Sequence, residues 1–393
     1  MTTAETLDKP IRVAITYRVC QHWRTNAFRR LHARPDIDVT VLHGSDVPGT
    51  RVTNGKNLDG FNHVQMFTLK KRGVDLVFHP FIFFHLWRLR PDVILAEGGS
   101  NVFSNIPAYF YAWLTRTPTI WWTLGAMPGQ TYEGLVRKTY RRVVVGLERA
   151  STVLLGYSSL ALEYFKQMGF PEQRCFRAVN CIDTDRILEG ADAARENASR
   201  LRAELGLTGK KVVLFVGILI ASKKIDRLLR SFAEVSKNVA DAKLVIVGDG
   251  DDRDRLEQIA SELGIDADTH FAGRVVDGVQ DYYQLGDVFV LPGLGGLAVS
   301  EALANSLPII CGVGDGCEVD LVLNGENGYR IDSDDDDEVE AFIADRLVEI
   351  LGDDDKRARM SQAAIDTIKN KWNVHSYIEG VVAAIKYAVA AKN

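Results

Sequence analysis

The sequence predicts an α/β protein of two successive doubly wound halves, each with its own parallel sheet. Three observations carry this expectation. Short, continuously apolar runs such as 11–17 and 212–216 read as strands buried on both faces. They alternate with stretches of helical spacing, and the alternation stops and restarts once, around a charged helical stretch near 185–207. The chain has 393 residues, 46% of them apolar and 25% charged, so it is long enough to bury two cores. The expected boundaries are 1–188 for the first domain, 189–209 for a linker, 210–370 for the second domain and 371–393 for a terminal helix.

In the first half, 11–17 (IRVAITY) is a strand, 22–34 a helix with Phe28 and Leu31 on its apolar side, and 39–42 the next strand. The loop after the first strand reads Arg18, Val19, Cys20, Gln21, His22 and carries no glycine. A dinucleotide is therefore not expected there, because the pyrophosphate turn needs GxGxxG. Its basic and aromatic character, from Tyr17 through Arg18 to His22, suits an acceptor carrying phosphate, and a solvated loop accounts for it equally.

The Phe-rich run 76–87 ends near Arg88 and Arg90. Being about 12 residues long, it cannot span a bilayer, so it reads as a core helix or an interfacial one. Strand 92–96 follows, capped by Glu97-Gly98-Gly99, then strand 119–124 with Gly125 after it. The helix expected over 135–149 has Val136, Tyr140, Val143 and Leu147 on one face. Beside them Arg137 with Arg141, and Lys138 with Arg142, make a basic stripe. The stretches 152–155, Ser158 and 179–183 read as the last strands of this half.

Residues 1–188 hold 24 Lys and Arg against 15 Asp and Glu, while 189–393 hold 23 against 37. A first half of net +9 suggests an anionic partner for it alone. An anionic membrane surface bound through Arg137, Lys138, Arg141 and Arg142 is one such partner, and a simple solvated face is the alternative. No recognition helix, zinc finger or ribonucleoprotein motif supports nucleic acid.

In the second half the expected order is strand 212–216, helix 225–237, strand 244–247, helix 253–263, strand 270–272 containing a structural His270, strand 288–291 and strand Ile309-Ile310. The terminal segment 372–390 reads as a helix with Tyr377, Val381, Ile385 and Val389 on one face. Asp249-Gly250-Asp251 could hold a divalent ion, but it serves as well as a strand-to-helix turn, and the acidic run 334–337 reads as a solvated loop. Five scattered cysteines without a CxxC pair point to neither a disulfide framework nor a zinc site, so a reducing cytoplasmic setting, no metal and no cofactor are expected. The N-terminal nine residues are polar, and no signal peptide is visible.

The stretch 289–304 (FVLPGLGGLAVSEALA) carries the chemistry. A strand ends at Pro292, and Gly293, Gly295 and Gly296 make a turn with almost no side chains. A helix opens at Leu297 and Ala298, whose amides are ready to receive phosphate. Glu301 follows one turn into that helix, a carboxylate able to accept from sugar hydroxyls.

With 289–304 and Pro308-Ile309-Ile310 behind it, two further segments complete a resemblance: 215–229 (FVGILIASKKIDRLL), and 244–250 (LVIVGDG) followed by 271–275 (FAGRV). In this order they resemble the retaining, nucleotide-sugar-dependent glycosyltransferases of family four. GENG at 325–328 extends the likeness, and 158–183 resembles the close of that family's first domain. The resemblance implies a GT-B fold, two Rossmann-like domains facing across a cleft, with a terminal helix crossing back to the first. It implies a nucleotide-sugar donor held in the second domain and an acceptor, lipid-linked or a cell-surface glycan, attacking from the first.

The donor-side residues so implied are Gly217, Lys223, Lys224, Arg274, Val275, Gly293, Gly295, Gly296, Leu297, Ala298 and Glu301. Lys223 matches the family's diphosphate-binding lysine, and Glu301 the second of two glutamates eight apart. Acceptor-side positions are Tyr17, Arg18, His22, Glu97 and Gly125. The chain departs from the pattern twice on the donor side: Ile218 replaces an arginine, and Gly293 replaces the first glutamate. Leu124 also stands where relatives offer a histidine before Gly125. Three readings follow: a membrane-peripheral hexosyl- or related glycosyltransferase of polysaccharide biosynthesis, a nucleotide-sugar epimerase of the same architecture, or an inactive nucleotide-sugar-binding protein.

Overall fold

The computed structural model describes residues 9–50, 53–70, 77–126 and 134–392. Leu76, the side chain of Val136 and the polar stretch 1–8, all read above, lie outside the described residues. The chain divides into two compact units, 1–179 with 375–393, and 180–374. Each is a parallel sheet with helices.

The first unit contains β1 (Ile11–Tyr17), β2 (Ile37–His43), β3 (Asn62–Gln65), β4 (Leu69–Lys70), β5 (Val77–Phe78), β6 (Val93–Glu97), β7 (Thr119–Thr123), β8 (Val153–Gly156) and β9 (Cys175–Arg177). Seven of these form a sheet in the order β3-β2-β1-β6-β7-β8-β9, and β4 with β5 makes a small antiparallel ribbon. Strand order reverses at β1 and β6, which pair in parallel from Val13 against Val93. Open sheets of this kind present their ligand crevice at the carboxyl ends of the strands flanking such a reversal.

The second unit contains β10 (Lys211–Val216), β11 (Ala242–Val247), β12 (Thr269–Gly273), β13 (Val288–Leu291), β14 (Ile309–Cys311) and β15 (Gly328–Arg330), in the order β12-β11-β10-β13-β14-β15. Its reversal falls between β10 and β13. The strand interiors are fully buried, as continuous apolar runs require: Val212 to Phe215 and Val288 to Val290 expose nothing. Gly248 and Gly250 let two strand exits touch, because a Cβ on Gly250 would collide with the backbone of Leu219. Asp249-Gly250-Asp251 is thus a packed strand-to-helix turn, and no group of metal-ligating side chains occurs among the described residues.

Several expected elements differ. Residues 179–183 form no strand; the last strand of the first unit is β9, and Ser158 caps the helix Ser159–Gln167 by accepting from the Ala161 amide. The Phe-rich run splits into β5 and the helix Ile82–Leu89. Residues 189–204, expected as part of a helical connector, are the later part of the helix Thr184–Glu204. That helix lies within the second unit with Ala194 and Ala198 buried, while Arg202 bonds Asp287 at 2.9 Å. The acidic run is also structural: Asp335 caps the helix Asp336–Gly352, and Asp336 receives the buried Arg227 guanidinium at 2.6 Å.

Residues 375–393 join the first unit through polar and aromatic contacts. Lys386 pairs with Asp36 at 2.7 Å, and with Arg34 it holds the Asp36 carboxyl down at about 2. Arg24, buried in the same region, lies 5.0 to 5.3 Å from the ring centres of Trp122, Tyr157 and Tyr377 and donates to the Tyr377 hydroxyl at 3.1 Å. Arg24→Ala is expected to cost about 1–3 kcal/mol, from lost cation–π contacts and a buried hydroxyl left with one donor fewer. Urea denaturation followed by circular dichroism measures it, and an unchanged midpoint would remove Arg24 from the fastening.

Candidate active site

The exits of β10 and β13 meet at the reversal point of the second sheet. After β13, Pro292 and Gly293 are buried, and the Leu294 amide donates to the Ser222 carbonyl at 3.0 Å. Gly293 is held against the segment 222–223 so closely that an added Cβ would lie 2.5 Å from the Ser222 oxygen and 2.8 Å from the Lys223 carbonyl. The position therefore takes glycine because another stretch of backbone occupies the side-chain space.

Lys223 ends the short helical turn Ala221–Lys223, and its ammonium reaches across the glycine turn to bond the Leu294 carbonyl. It lies beside Gly295, where a Cβ would overlap Nζ. Burial lowers its pKa below the ordinary lysine value, and the Asp315 carboxylate partly restores it. The structure thus brings Lys223 together with Gly293, Gly295 and Gly296 just before the helix Leu297–Ala304. The first amides of a helix have no intrahelical acceptor, and the helix dipole adds partial positive charge there. A cation, free amides and a turn without side chains form a site that suits an anion such as a diphosphate.

Asp315 was not anticipated. It follows β14, and its carboxylate stands so near Gly296 that a Cβ there would collide with it. Its partner in place is the Cys317 amide at 3.2 Å. Behind it, buried Glu318 accepts from the Gly314 and Gly316 amides, both at 2.9 Å, and burial raises its carboxyl despite these bonds. The glycine-rich exit GVGDG was the available signal, but nothing in it distinguishes an inward aspartate from a solvated one.

Glu301 lies one turn into the helix, and the buried Tyr283 hydroxyl donates to it at 3.3 Å. Burial raises its pKa, opposed by Tyr283 and by the charge of Arg186. Leu297 and Ala298 are partly exposed at the helix opening, while Gly217 closes β10 and donates to the Val247 carbonyl at 2.9 Å. Ile218 is half-buried beside it. Lys224 turns to Asp334 at 3.4 Å rather than to the glycine turn. Arg274 and Val275 follow β12, the far edge strand, with Arg274 exposed.

In the first unit, Arg18 and Glu97 do come together at the reversal point, the Arg18 amide donating to Glu97 at 2.6 Å. Tyr17 does not face an acceptor: it is 3% exposed, stacks on Trp122 at 5.8 Å, and burial pushes its phenol up to about 12. His22 starts the helix His22–His32 and packs edge-on against Trp23. Gly125 has φ +78 and lies against Ala161, a positive-φ turn with no room for a side chain. Of the basic stripe on the helix Leu135–Ala150, Arg137, Lys138 and Arg142 are exposed. Arg141 is not part of it, because it turns inward onto the Tyr164 ring and donates to its hydroxyl at 2.6 Å.

Residues 197–367 match the family model described as glycosyl transferases group 1. Among curated proteins, the GDP-mannose-dependent alpha-(1-6)-phosphatidylinositol monomannoside mannosyltransferase of Mycolicibacterium smegmatis is 29% identical over 202 residues, 49% of this chain and 50% of that protein. The D-inositol 3-phosphate glycosyltransferase of Corynebacterium aurimucosum is 31% identical over 195 residues, 47% of this chain and 44% of that protein. The chain thus spans about half the length of the curated relatives it matches. In fold, Anabaena Alr3699/HepE, solved in complex with UDP, aligns with a TM-score of 0.73 at 16% identity over 96% of this chain and 99% of that one. WaaG, a glycosyltransferase involved in lipopolysaccharide biosynthesis, aligns with a TM-score of 0.67 at 17% identity over 95% and 99%. The resemblance to glycosyltransferases and the GT-B fold are borne out.

Proposed function

We propose that this chain, whose residues 197–367 match the glycosyl transferases group 1 model, is a retaining family-four glycosyltransferase. It moves a sugar from a nucleotide-sugar donor to a lipid-linked or cell-surface glycan acceptor. The observation that carries this reading is Lys223 reaching into the glycine turn before the helix Leu297–Ala304. When the bond from the anomeric carbon to the diphosphate oxygen breaks, negative charge grows on the leaving group. Lys223 and the amides of Gly296, Leu297 and Ala298 stabilise it. These groups supply the positive charge of a metal-independent mechanism. Turnover that survives EDTA supports this; turnover lost to EDTA and restored by Mg²⁺ or Mn²⁺ rejects it.

Acceptor recognition falls to the first unit, around Arg18 and Glu97. The relatives named for phosphatidylinositol mannoside and inositol phosphate acceptors, with the basic first unit, support an acceptor carrying phosphate and a peripheral, cytoplasmic-face location. Among the described residues no helix is long and apolar enough to cross a membrane. A thermal-shift screen of UDP-, GDP-, dTDP- and ADP-sugars identifies the donor, followed by transfer assays with it. A shift without turnover toward any phosphoinositol or glycan acceptor points to the second reading, an inactive nucleotide-sugar-binding protein, which Ile218 and Gly293 favour.

Two further outcomes are expected. Glu301→Ala weakens nucleotide binding by about 1–3 kcal/mol, through loss of a carboxylate that accepts ribose hydroxyls; equal affinity by calorimetry counts against that role. Asp315→Asn should tighten nucleotide binding roughly tenfold, because a resident carboxylate no longer competes with diphosphate for Lys223. Weaker binding would mean that Asp315 positions the turn instead.

A further inference from the structure

We propose that the outer face of the helices Ile82–Leu89 and Val102–Thr115, with the β4–β5 ribbon, inserts into the acyl layer of an anionic lipid leaflet. This goes beyond the transfer reading and does not depend on it. Val102–Thr115 contains no charged residue in 14 positions. Its inner side is core, with Val102, Ala108 and Ala112 buried. Its outer side is equally apolar: Ile106, Phe110, Trp113 and Leu114 fall at helical spacing and are 45%, 56%, 74% and 52% exposed. A helix apolar on both sides needs an apolar medium on both.

The neighbouring helix adds Phe84 and Trp87, 66% and 51% exposed, and the rings are continuous. Phe83 lies 6.0 Å from Trp87 and 5.8 Å from Phe110, and Phe110 stacks on Trp113 at 5.9 Å. Between the ribbon and the longer helix lies an open groove of about 770 Å³, lined by Phe78, Ile106 and Phe110 together with Lys70. A continuous exposed apolar patch rimmed by charged residues marks an interaction or membrane face.

Charge identifies the occupant. Arg90 and Arg116, both exposed and in left-handed conformation, terminate the two helices beside Trp87 and Trp113. Arg90 and Lys392 share a second groove with Trp87. The whole unit holds 25 Lys and Arg against 14 Asp and Glu, a net +11, whereas the other unit is at −16. Aromatic rings rimmed by arginine and lysine match the junction of acyl chains and anionic headgroups. A 14-residue helix spans about 21 Å, short of the roughly 30 Å hydrocarbon layer, so it lies in the plane of the leaflet. The contact differs from one made by the stripe at Arg137, Lys138 and Arg142, which would be electrostatic alone.

The test uses the full chain with phosphatidylcholine vesicles, with and without phosphatidylglycerol. Flotation should show binding to the anionic vesicles that persists in part at high salt. Lipids brominated on the acyl chains should quench tryptophan emission. Phe84→Ser combined with Trp113→Ser should lower vesicle affinity at least about tenfold at an unchanged melting temperature. Phe110→Ser alone gives a second reading should the pair destabilise the fold. Arg137→Glu with Lys138→Glu should reduce only the salt-sensitive part. Binding abolished by salt, absence of quenching, or indifference to the aromatic substitutions overturns the proposal. So does a dimer in light scattering that the double substitution dissociates, because a second copy would then cover the face.

Discussion

Lys223→Ala is expected to lower kcat by about 10²–10³, the usual cost of removing one preorganised donor from a site where charge develops. The ammonium is held over the glycine turn by the Leu294 carbonyl, so it is in place before a ligand arrives. Ground-state binding should suffer less than turnover, since the charge it meets grows as the diphosphate departs. Because burial already lowers its pKa in the free site, an alkaline limb should appear in the kcat/KM profile below the ordinary lysine value of about 10.4. The sign follows from the chemistry: as pH rises through that lowered pKa the ammonium becomes neutral and the rate falls. Bound diphosphate favours the charged form, so the limb in kcat, which reports the complex, should lie higher than that in kcat/KM. Lys223→Ala should erase the limb along with the rate. Unchanged turnover, or an unchanged limb in the variant, would remove Lys223 from the diphosphate site.

The two sheets were legible because parallel strands buried on both faces read as apolar runs, as 212–216 and 288–291 do. Short edge strands were not, since β3, β9 and β15 are only three or four residues long and partly exposed, with no run to detect. The helix Val102–Thr115 escaped for a different reason. Apolar on both faces, it lacks the amphipathic period by which a surface helix is recognised. The glycines were visible because their run is local in sequence, and Lys223 because it falls in the segment 215–229 that carries the family resemblance. Asp315, Tyr283 and Glu318 were not, because each reaches the site from a different strand exit or helix, and only the folded sheet brings them to Gly296 and Glu301. Tyr17 misled because a tyrosine at a strand end can face either the crevice or the core. Here the Trp122 ring and the Arg24 guanidinium claim it.

The same geometry bears on the missing carboxylate. Gly293→Glu, which installs the glutamate that the resemblance to family-four glycosyltransferases implies at this position, should not install its chemistry. It is expected to cost about 3 kcal/mol of stability and to abolish nucleotide-induced thermal stabilisation. The side-chain space at Gly293 is filled by the Ser222 and Lys223 carbonyls, which are backbone and cannot rotate away. Making room means pushing 222–223 off the turn, which breaks the bond from the Leu294 amide to Ser222 and draws the Lys223 ammonium from its place. Glycine here lets a cation-bearing backbone approach where the resemblance implies an acidic side chain. Gly293→Ala separates size from charge, because a methyl group meets the same carbonyls and should lose most of the same stability. If Gly293→Glu instead folds as the parent does and binds or turns over donor better, the turn is pliable. The glycine would then mark a simple deletion of function, not a rebuilt site.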